Sequence, residues 1–338
     1  MKLRGAISGF GEVAANAHLV GWRGCGRVSI GAVHDPIADR RHQAIRLIRN
    51  ARVYDDLELM LDGERPDFVD IASPPALHAD AARMALEAGA HVLVEKPLCL
   101  SLDEFDELSG LARERGRILM CVHNWKYAPA YALAHSLIAE GRIGAVSSIL
   151  MDRLRTRPAG ADGAGGRWRL SAASGGGILI DHGWHVLYLM QWLMGEPPMA
   201  VSGRIVCDER GVDEVAEMEL RFGSGRTARA NLSWRATARR TSAVITGERG
   251  ALEIENDRII LIDGCGNRSA MPVSDIPDDS YHSSWFSGIA SLFIEAVTRG
   301  SDSEPAITNL DEARNALISI ISARHSAKND GVAVTISA

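Results

Sequence analysis

Three side chains suited to proton chemistry interrupt an apolar run in GGGILIDHGWHVLYLMQWLMG, residues 175–195: Asp181, His182 and His185. At helical spacing, Leu179, Val186, Met190 and Leu193 fall on one stripe, as a core-facing side should. Asp181, His185, Tyr188 and Trp192 are spaced four, three and four, and fall on the opposite side. His182 sits about a quarter turn from them. The spacing therefore predicts that Asp181 and His185 face one cleft together, with His182 structural. The plain alternative is a first-turn acid favoured by the helix dipole, beside a hydrogen-bonded histidine. A zinc site on His182 and His185 is not expected, because no further ligands with convincing spacing appear.

A second chemistry lies near the N-terminus, in LRGAISGFGEVAANAHL. A short apolar strand runs into a glycine turn and then a helix, and Gly9, Gly11 and Ala14 match G-x-G-x-x-[G/A]. The first glycine permits a tight turn, the second lets backbone approach a pyrophosphate, and the small third residue allows close helix–strand packing. The turn Gly9-Phe10-Gly11-Glu12-Val13, with the N–H groups of the helix start, is expected to cradle a dinucleotide phosphate. A second strand, RVSIGAVHD, ends in Asp35, an acid placed to bond both ribose hydroxyls of NAD and to repel a 2′-phosphate. Arg40 and Arg41 leave NADP open, but they fall inside the next helix, so NAD is preferred. The alternative for Asp35 is a helix cap before Pro36.

Elements must position these groups. DFVDIAS, HVLVEKP and RILMCVH read as further strands, separated by the helices ALHADAARMALEAG and SLDEFDELSGLARERG. Strand and helix alternating at this pace imply a doubly wound parallel sheet, whose ligands bind at the carboxyl ends of the strands. Ser73-Pro74-Pro75, Glu95-Lys96-Pro97 and His123-Asn124 all sit at such ends. From about residue 125 the rhythm changes to a helix, the strand VSSILMDRLRT, a Gly-rich loop, the helix of residues 175–195, several antiparallel strands and two last helices. The expected architecture is an N-terminal dinucleotide-binding α/β domain over 1–124. A C-terminal α+β domain over 125–338 follows, with a large open, mostly antiparallel sheet for substrate binding and self-association.

Totals exclude other classes. The chain has 338 residues, 46% apolar and 24% charged, with a formal charge of −6, which argues against nucleic-acid binding. Its five cysteines are scattered and contain no CxxC pair, so neither a disulfide framework nor structural zinc is indicated. The N-terminal apolar run is too short for a signal peptide, and no apolar stretch approaches membrane-spanning length. A cytoplasmic protein with no membrane partner is expected.

Together these motifs resemble the glucose–fructose oxidoreductase / inositol 2-dehydrogenase (GFO/IDH/MocA) family of NAD(P)-dependent oxidoreductases. The likeness covers essentially the whole chain. It comprises the Gly9/Gly11/Ala14 turn, Ser73-Pro74 with His78, Glu95-Lys96-Pro97, HNWKYAP at 123–129, resembling N-x-R-[FY]-x-P, and GGGILIDHGWH, resembling G-G-G-x-L-x-D-x-G-x-H. The resemblance implies a Rossmann fold, NAD (or NADP) as cofactor, and a sugar, inositol or sugar derivative as small-molecule substrate. It also implies Lys96, Asp181 and His185 as the catalytic set, a cis Lys96–Pro97 peptide, and a homodimer or homotetramer. Ser73, Pro74, His78, Glu95, Lys96 and Asn124 would join the glycine turn and Asp35 around the cofactor. The chemistry agrees: an imidazole with an ordinary pKa near 6.5 accepts a proton at neutral pH, and a lysine stabilises a developing alkoxide. Tyr188 stands where the family often has an acid, and Lys126 where it has an arginine. Two other readings remain: a non-catalytic nucleotide-sensing regulator of the same fold, and a reductase of a non-sugar carbonyl.

The loop at 157–177 is expected to set substrate specificity, with Trp168 and Arg169 as substrate contacts. Arg153, Arg155 and Arg157 alternate and so share one sheet face. One reading gives Arg155, Arg157 or Arg169 a grip on an anionic substrate group. The preferred reading pairs Arg153 and Arg155 with Glu217 and Glu219 on a neighbouring strand, or places them at a subunit interface.

Overall fold

The computed structural model describes residues 2–160, 164–256, 258–273 and 281–336. The specificity loop expected at 157–177 lies partly outside these residues. The chain forms two compact units, Met1–Tyr127 with Ile276–Arg314, and Ala128–Asp275 with Asn315–Ala338.

The first unit is built on six short strands: β1 (Leu3–Ser8), β2 (Val28–His34), β3 (Arg52–Tyr54), β4 (Phe68–Ile71), β5 (His91–Val94) and β6 (Leu119–Cys121). They pair in parallel in the order β3-β2-β1-β4-β5-β6. This is the doubly wound arrangement whose strand order reverses at β1 and β4, where dinucleotides bind. Helices α1 (Leu19–Gly24), α2 (Ala38–Leu47), α3 (Leu57–Glu64), α4 (His78–Glu87) and α5 (Leu102–Glu114) connect them. Helix α5 starts where Ser101 accepts from the Glu104 N–H and the Glu104 side chain reaches back, a reciprocal cap. The unit also takes in a distant segment that chain order alone would place in the second domain. Phe286, Ile289 and Phe293 are buried with Trp22, Phe68 and Leu93 in one cluster, so apolar burial ties that segment to the parallel sheet.

In the second unit, α6 (Pro129–Ala139), β7 (Val146–Leu154) and α7 (Trp184–Met194) precede the antiparallel run β8 (Pro198–Cys207), β9 (Asp213–Phe222), β10 (Thr227–Ser233), β11 (Arg240–Gly247), β12 (Gly250–Glu255), β13 (Arg258–Asp263) and β14 (Arg268–Met271). Helices α8 (Ser283–Arg299) and α9 (Glu304–Lys328) and strand β15 (Val334–Thr335) complete the chain. The nine strands order as β14-β13-β12-β11-β7-β10-β9-β8-β15, and only β7 with β10 is parallel. On β7, Ile149, Met151 and Arg153 are buried while Leu150 is 39% exposed, so one face is covered and the other open. No described helix is long and apolar enough to cross a membrane.

This order corrects the pairing preferred for the strand arginines. Strand β10 lies between β7 and β9, so Arg153 and Arg155 do not face Glu217 and Glu219. Arg153 is 1% exposed and donates to the Tyr131 hydroxyl at 2.8 Å. Glu219 instead pairs with Arg229 and Arg221.

Candidate active site

In the first unit the expected cofactor residues gather at the strand ends. Gly9 has φ +88°, and an added Cβ would lie 2.6 Å from the Ser73 backbone N, so the turn after β1 closes against the turn after β4 only with glycine there. Asp35 is fully buried. Its carboxylate accepts from the Phe10 N–H at 2.8 Å and the Ile37 N–H at 2.9 Å, and Arg40 lies at 3.4 Å. One acid thus braces the glycine turn and the turn that leads into α2. The Ser73 hydroxyl and the Asn124 amide oxygen are buried with no hydrogen-bond partner among the described residues, and buried polar atoms ordinarily have one. Around Gly11 an added Cβ would meet nothing within 4 Å. Open space by the turn and two orphaned polar atoms at the strand ends fit a bound dinucleotide.

Two expected cofactor residues turn inward. His78 is buried, with its ring nitrogens 2.6 Å from the Pro97 carbonyl and 2.7 Å from the Ser73 carbonyl, stapling the loops after β4 and β5 together. Glu95 accepts from the Lys96 N–H at 3.0 Å and meets His18 Nε2 at 3.1 Å. His18 Nδ1 lies 3.0 Å from both oxygens of Asp70, which also accepts from the Trp22 indole at 2.6 Å. Burial works to lower the His18 pKa, but Asp70 and Glu95 outweigh it and bring it up to about 9. A buried imidazolium between two carboxylates therefore underlies Glu95-Lys96-Pro97. The Lys96–Pro97 peptide is cis, as expected, and Lys96 is half-buried.

Beyond β6, Lys126 pairs with Glu312, which also meets His123 at 3.3 Å. Burial disfavours the Glu312 carboxylate, yet His123 and Lys126 hold it below its ordinary pKa. The lysine standing for an arginine thus keeps a buried ionic contact.

In the second unit, the helix bearing the acid and the imidazoles begins with a π turn, Leu179–Gly183, before α7. Its first N–H groups need partners. Asp213, from β9, accepts from the Leu179 N–H at 2.8 Å and pairs with Arg324 at 2.7 Å. Gly177, at φ +110°, has no room for a Cβ, which would overlap that carboxylate. Asp181 is 4% and His185 7% exposed. Asp181 Oδ1 lies 3.0 Å from Arg169 Nε, and Oδ2 lies 3.6 Å from His182 Nε2. Arg169 also stacks over Trp168, 4.4 Å from the ring centroid. His185 Nδ1 is 2.9 Å from the Tyr188 hydroxyl. Trp192 stacks on His135, with centroids 4.0 Å apart.

The expected residues thus fall into two groups, one in each unit. Those around Asp181 are brought together with Arg169, Trp168 and His182; Trp192, expected on the same face, turns to His135. His18, Asp70, Glu312 and Asp213 do not stand out in the sequence. Motifs are residues at fixed local spacing, whereas His18 and Glu95 are 77 positions apart and His123 and Glu312 189. The departure at Tyr188 is the available local signal, and it marks the hydrogen-bond partner of His185. Among the described residues no group of three side chains is arranged to hold a metal ion.

Two family models match: the oxidoreductase family, NAD-binding Rossmann fold, over residues 3–123, and the GFO/IDH/MocA C-terminal domain over 131–253. D-glucoside 3-dehydrogenase of Escherichia coli K12 is 31% identical over 195 residues, covering 58% of this chain and 55% of that protein. Two uncharacterized oxidoreductases, from Synechocystis and E. coli, match over 38% and 37% of their length, so the chain spans about half or less of these relatives. D-apiose dehydrogenase of Paraburkholderia graminis is 28% identical over 80% of this chain and 72% of its own. Among solved structures, GenD2 from gentamicin A biosynthesis, in complex with NAD, has 26% identity and a TM-score of 0.83, covering 100% of this chain and 97% of its own. With both models matched in order along a Rossmann unit and an open-sheet unit, the chain belongs to the GFO/IDH/MocA oxidoreductase family.

Proposed function

We propose that the protein is an NAD(P)-dependent oxidoreductase that moves hydride between a nicotinamide and a secondary alcohol or ketone of a sugar, inositol or sugar derivative. The observation that carries this reading is the nearly buried pair Asp181 and His185 at the head of one helix. Relatives named as sugar dehydrogenases support it, as does a neighbour solved with NAD. When bound, the nicotinamide supplies the hydride acceptor.

The residues divide the remaining work. Gly9, Phe10, Gly11, Glu12 and Val13 hold the phosphates, Asp35 the ribose, and Ser73, Pro74 and Asn124 the rest of the dinucleotide. Asp35 favours NAD over NADP. His78 and Glu95 fix the loops from which Lys96 projects. His185 takes the hydroxyl proton, with Nδ1 oriented by Tyr188. Lys96 stabilises the developing alkoxide by charge. Asp181 orients the substrate and holds Arg169, beside Trp168. Residues 1–124 serve the cofactor, and 125–338 serve the substrate and self-association. The protein works in the cytoplasm as a homodimer or homotetramer formed through the open sheet face.

The test is purified protein with NAD or NADP and a panel of neutral sugars, polyols, sugar acids and sugar phosphates, followed by absorbance of the reduced nicotinamide. Turnover of at least one member is expected. Nicotinamide binding with no turnover across the panel would overturn the enzyme reading in favour of a nucleotide sensor.

A further inference from the structure

Positive charge collects at the end of β7. The inward positions of this strand are Ile149, Met151 and Arg153, and the same alternation carries the half-buried Arg155 onto that face. The ladder continues to Arg155, whose N–H donates to the Ser233 carbonyl at 2.7 Å. Arg153 is in register with Leu232 of β10, and Gly183 packs on Leu232, where an added Cβ would lie 3.2 Å from Cδ1. The turn bearing Asp181 therefore lies over the strand end that presents Arg153 and Arg155.

The Arg155 guanidinium donates to the Leu154 carbonyl at 2.8 Å, the Arg240 carbonyl at 3.1 Å and the Thr241 hydroxyl at 3.0 Å. All three acceptors are neutral. Three contacts leave two of its five N–H donors for another partner. Burial first, then the guanidinium groups of Arg239 and Arg153, push its pKa down to about 10, opposed by Asp181. Asp181 is already committed to Arg169. A half-buried cation beside other cations, anchored only to neutral acceptors, is relieved by an incoming anion.

We propose that Arg155 is a specificity-determining residue of this site and grips the carboxylate or phosphate of an anionic sugar derivative. The proposal rests on the oxidoreductase reading above and names its substrate class. A guanidinium fork suits both anions, and its prior anchoring by two carbonyls and a hydroxyl lowers the ordering cost of the contact.

The experiment compares D-glucose, D-glucuronate and D-glucose 6-phosphate on the NAD-saturated protein, by titration calorimetry and by turnover, for wild type, Arg155→Met and Arg155→Lys. Wild type is expected to bind at least one of the two anionic sugars at least tenfold more tightly than glucose, and which of them does so separates carboxylate from phosphate. Arg155→Met should weaken that anion by roughly 10- to 150-fold, the equivalent of about 1.5–3 kcal/mol for a charged hydrogen bond. Glucose binding should change by less than about threefold, and Arg155→Lys should recover part of the loss. Equal or tighter binding of glucose by wild type would overturn the proposal, as would an equal effect of Arg155→Met on neutral and anionic sugars. If Arg155→Met fails to fold, an anion preference left unchanged by Arg155→Lys would overturn it just as well. Tight anion binding with no turnover of these sugars or of any member of the wider panel above would sink the oxidoreductase reading and leave the anion site standing.

Discussion

His18, enclosed by Asp70 and Glu95, makes the first unit sensitive to alkaline pH. Its folded pKa, near 9, lies above the ordinary 6.5, so its ionic contacts stabilise the fold fully below about 6.5 and are lost as pH rises through about 9. We expect the Tm of wild type to fall between pH 7 and 10 more steeply than that of His18→Gln; parallel curves would mean that the imidazole is neutral. Tyr188 acts on a smaller scale. Tyr188→Phe removes one hydrogen bond to His185, worth about 1–1.5 kcal/mol. It should lower kcat roughly tenfold, shift the acid limb of the pH–rate profile, and leave the affinity for NAD unchanged; an unshifted profile would make Tyr188 a packing residue. Lys96, Asp181 and His185 stand out as candidates in the sequence because each sits in a motif with fixed local spacing. His18 is not, because an imidazole in an apolar helix reads the same whether its partners are carboxylates or water.

Strand and helix order are legible in the sequence, and the sheet order of the second unit is not. Alternation along β7 predicts which residues share a face, but nothing local says that β10 would insert between β7 and β9. That insertion is why the expected pairs between strand arginines and glutamates do not form. The helix that carries Asp181 and His185 also departs from a pure 3.6 period, since the π turn at Leu179–Gly183 adds a residue before α7. Its entry depends on Gly177 and Asp213. Gly177→Ala combines positive-φ strain with overlap of a buried carboxylate and should cost at least about 2 kcal/mol. Urea denaturation reads this directly, and a loss under about 0.5 kcal/mol would mean that the turn relaxes.

For the whole molecule, the open face of the nine-stranded sheet sets Leu150 opposite Val244, 39% and 37% exposed. An apolar pair on an uncovered face tends to be buried against a copy of the same face. Sedimentation should give a dimer or tetramer for wild type and a smaller species for Leu150→Asp with Val244→Asp; a wild-type monomer at micromolar concentration would refute the oligomer. Hydride transfer in this chain is expected to depend on Lys96 and His185. The direct measurement is kcat of wild type, Lys96→Ala and His185→Ala on a sugar that the wild type oxidises, with NAD affinity measured on the same samples. A drop of roughly 10²-fold or more is expected for each variant, with NAD affinity within about twofold of wild type. Wild-type turnover in either variant would contradict it.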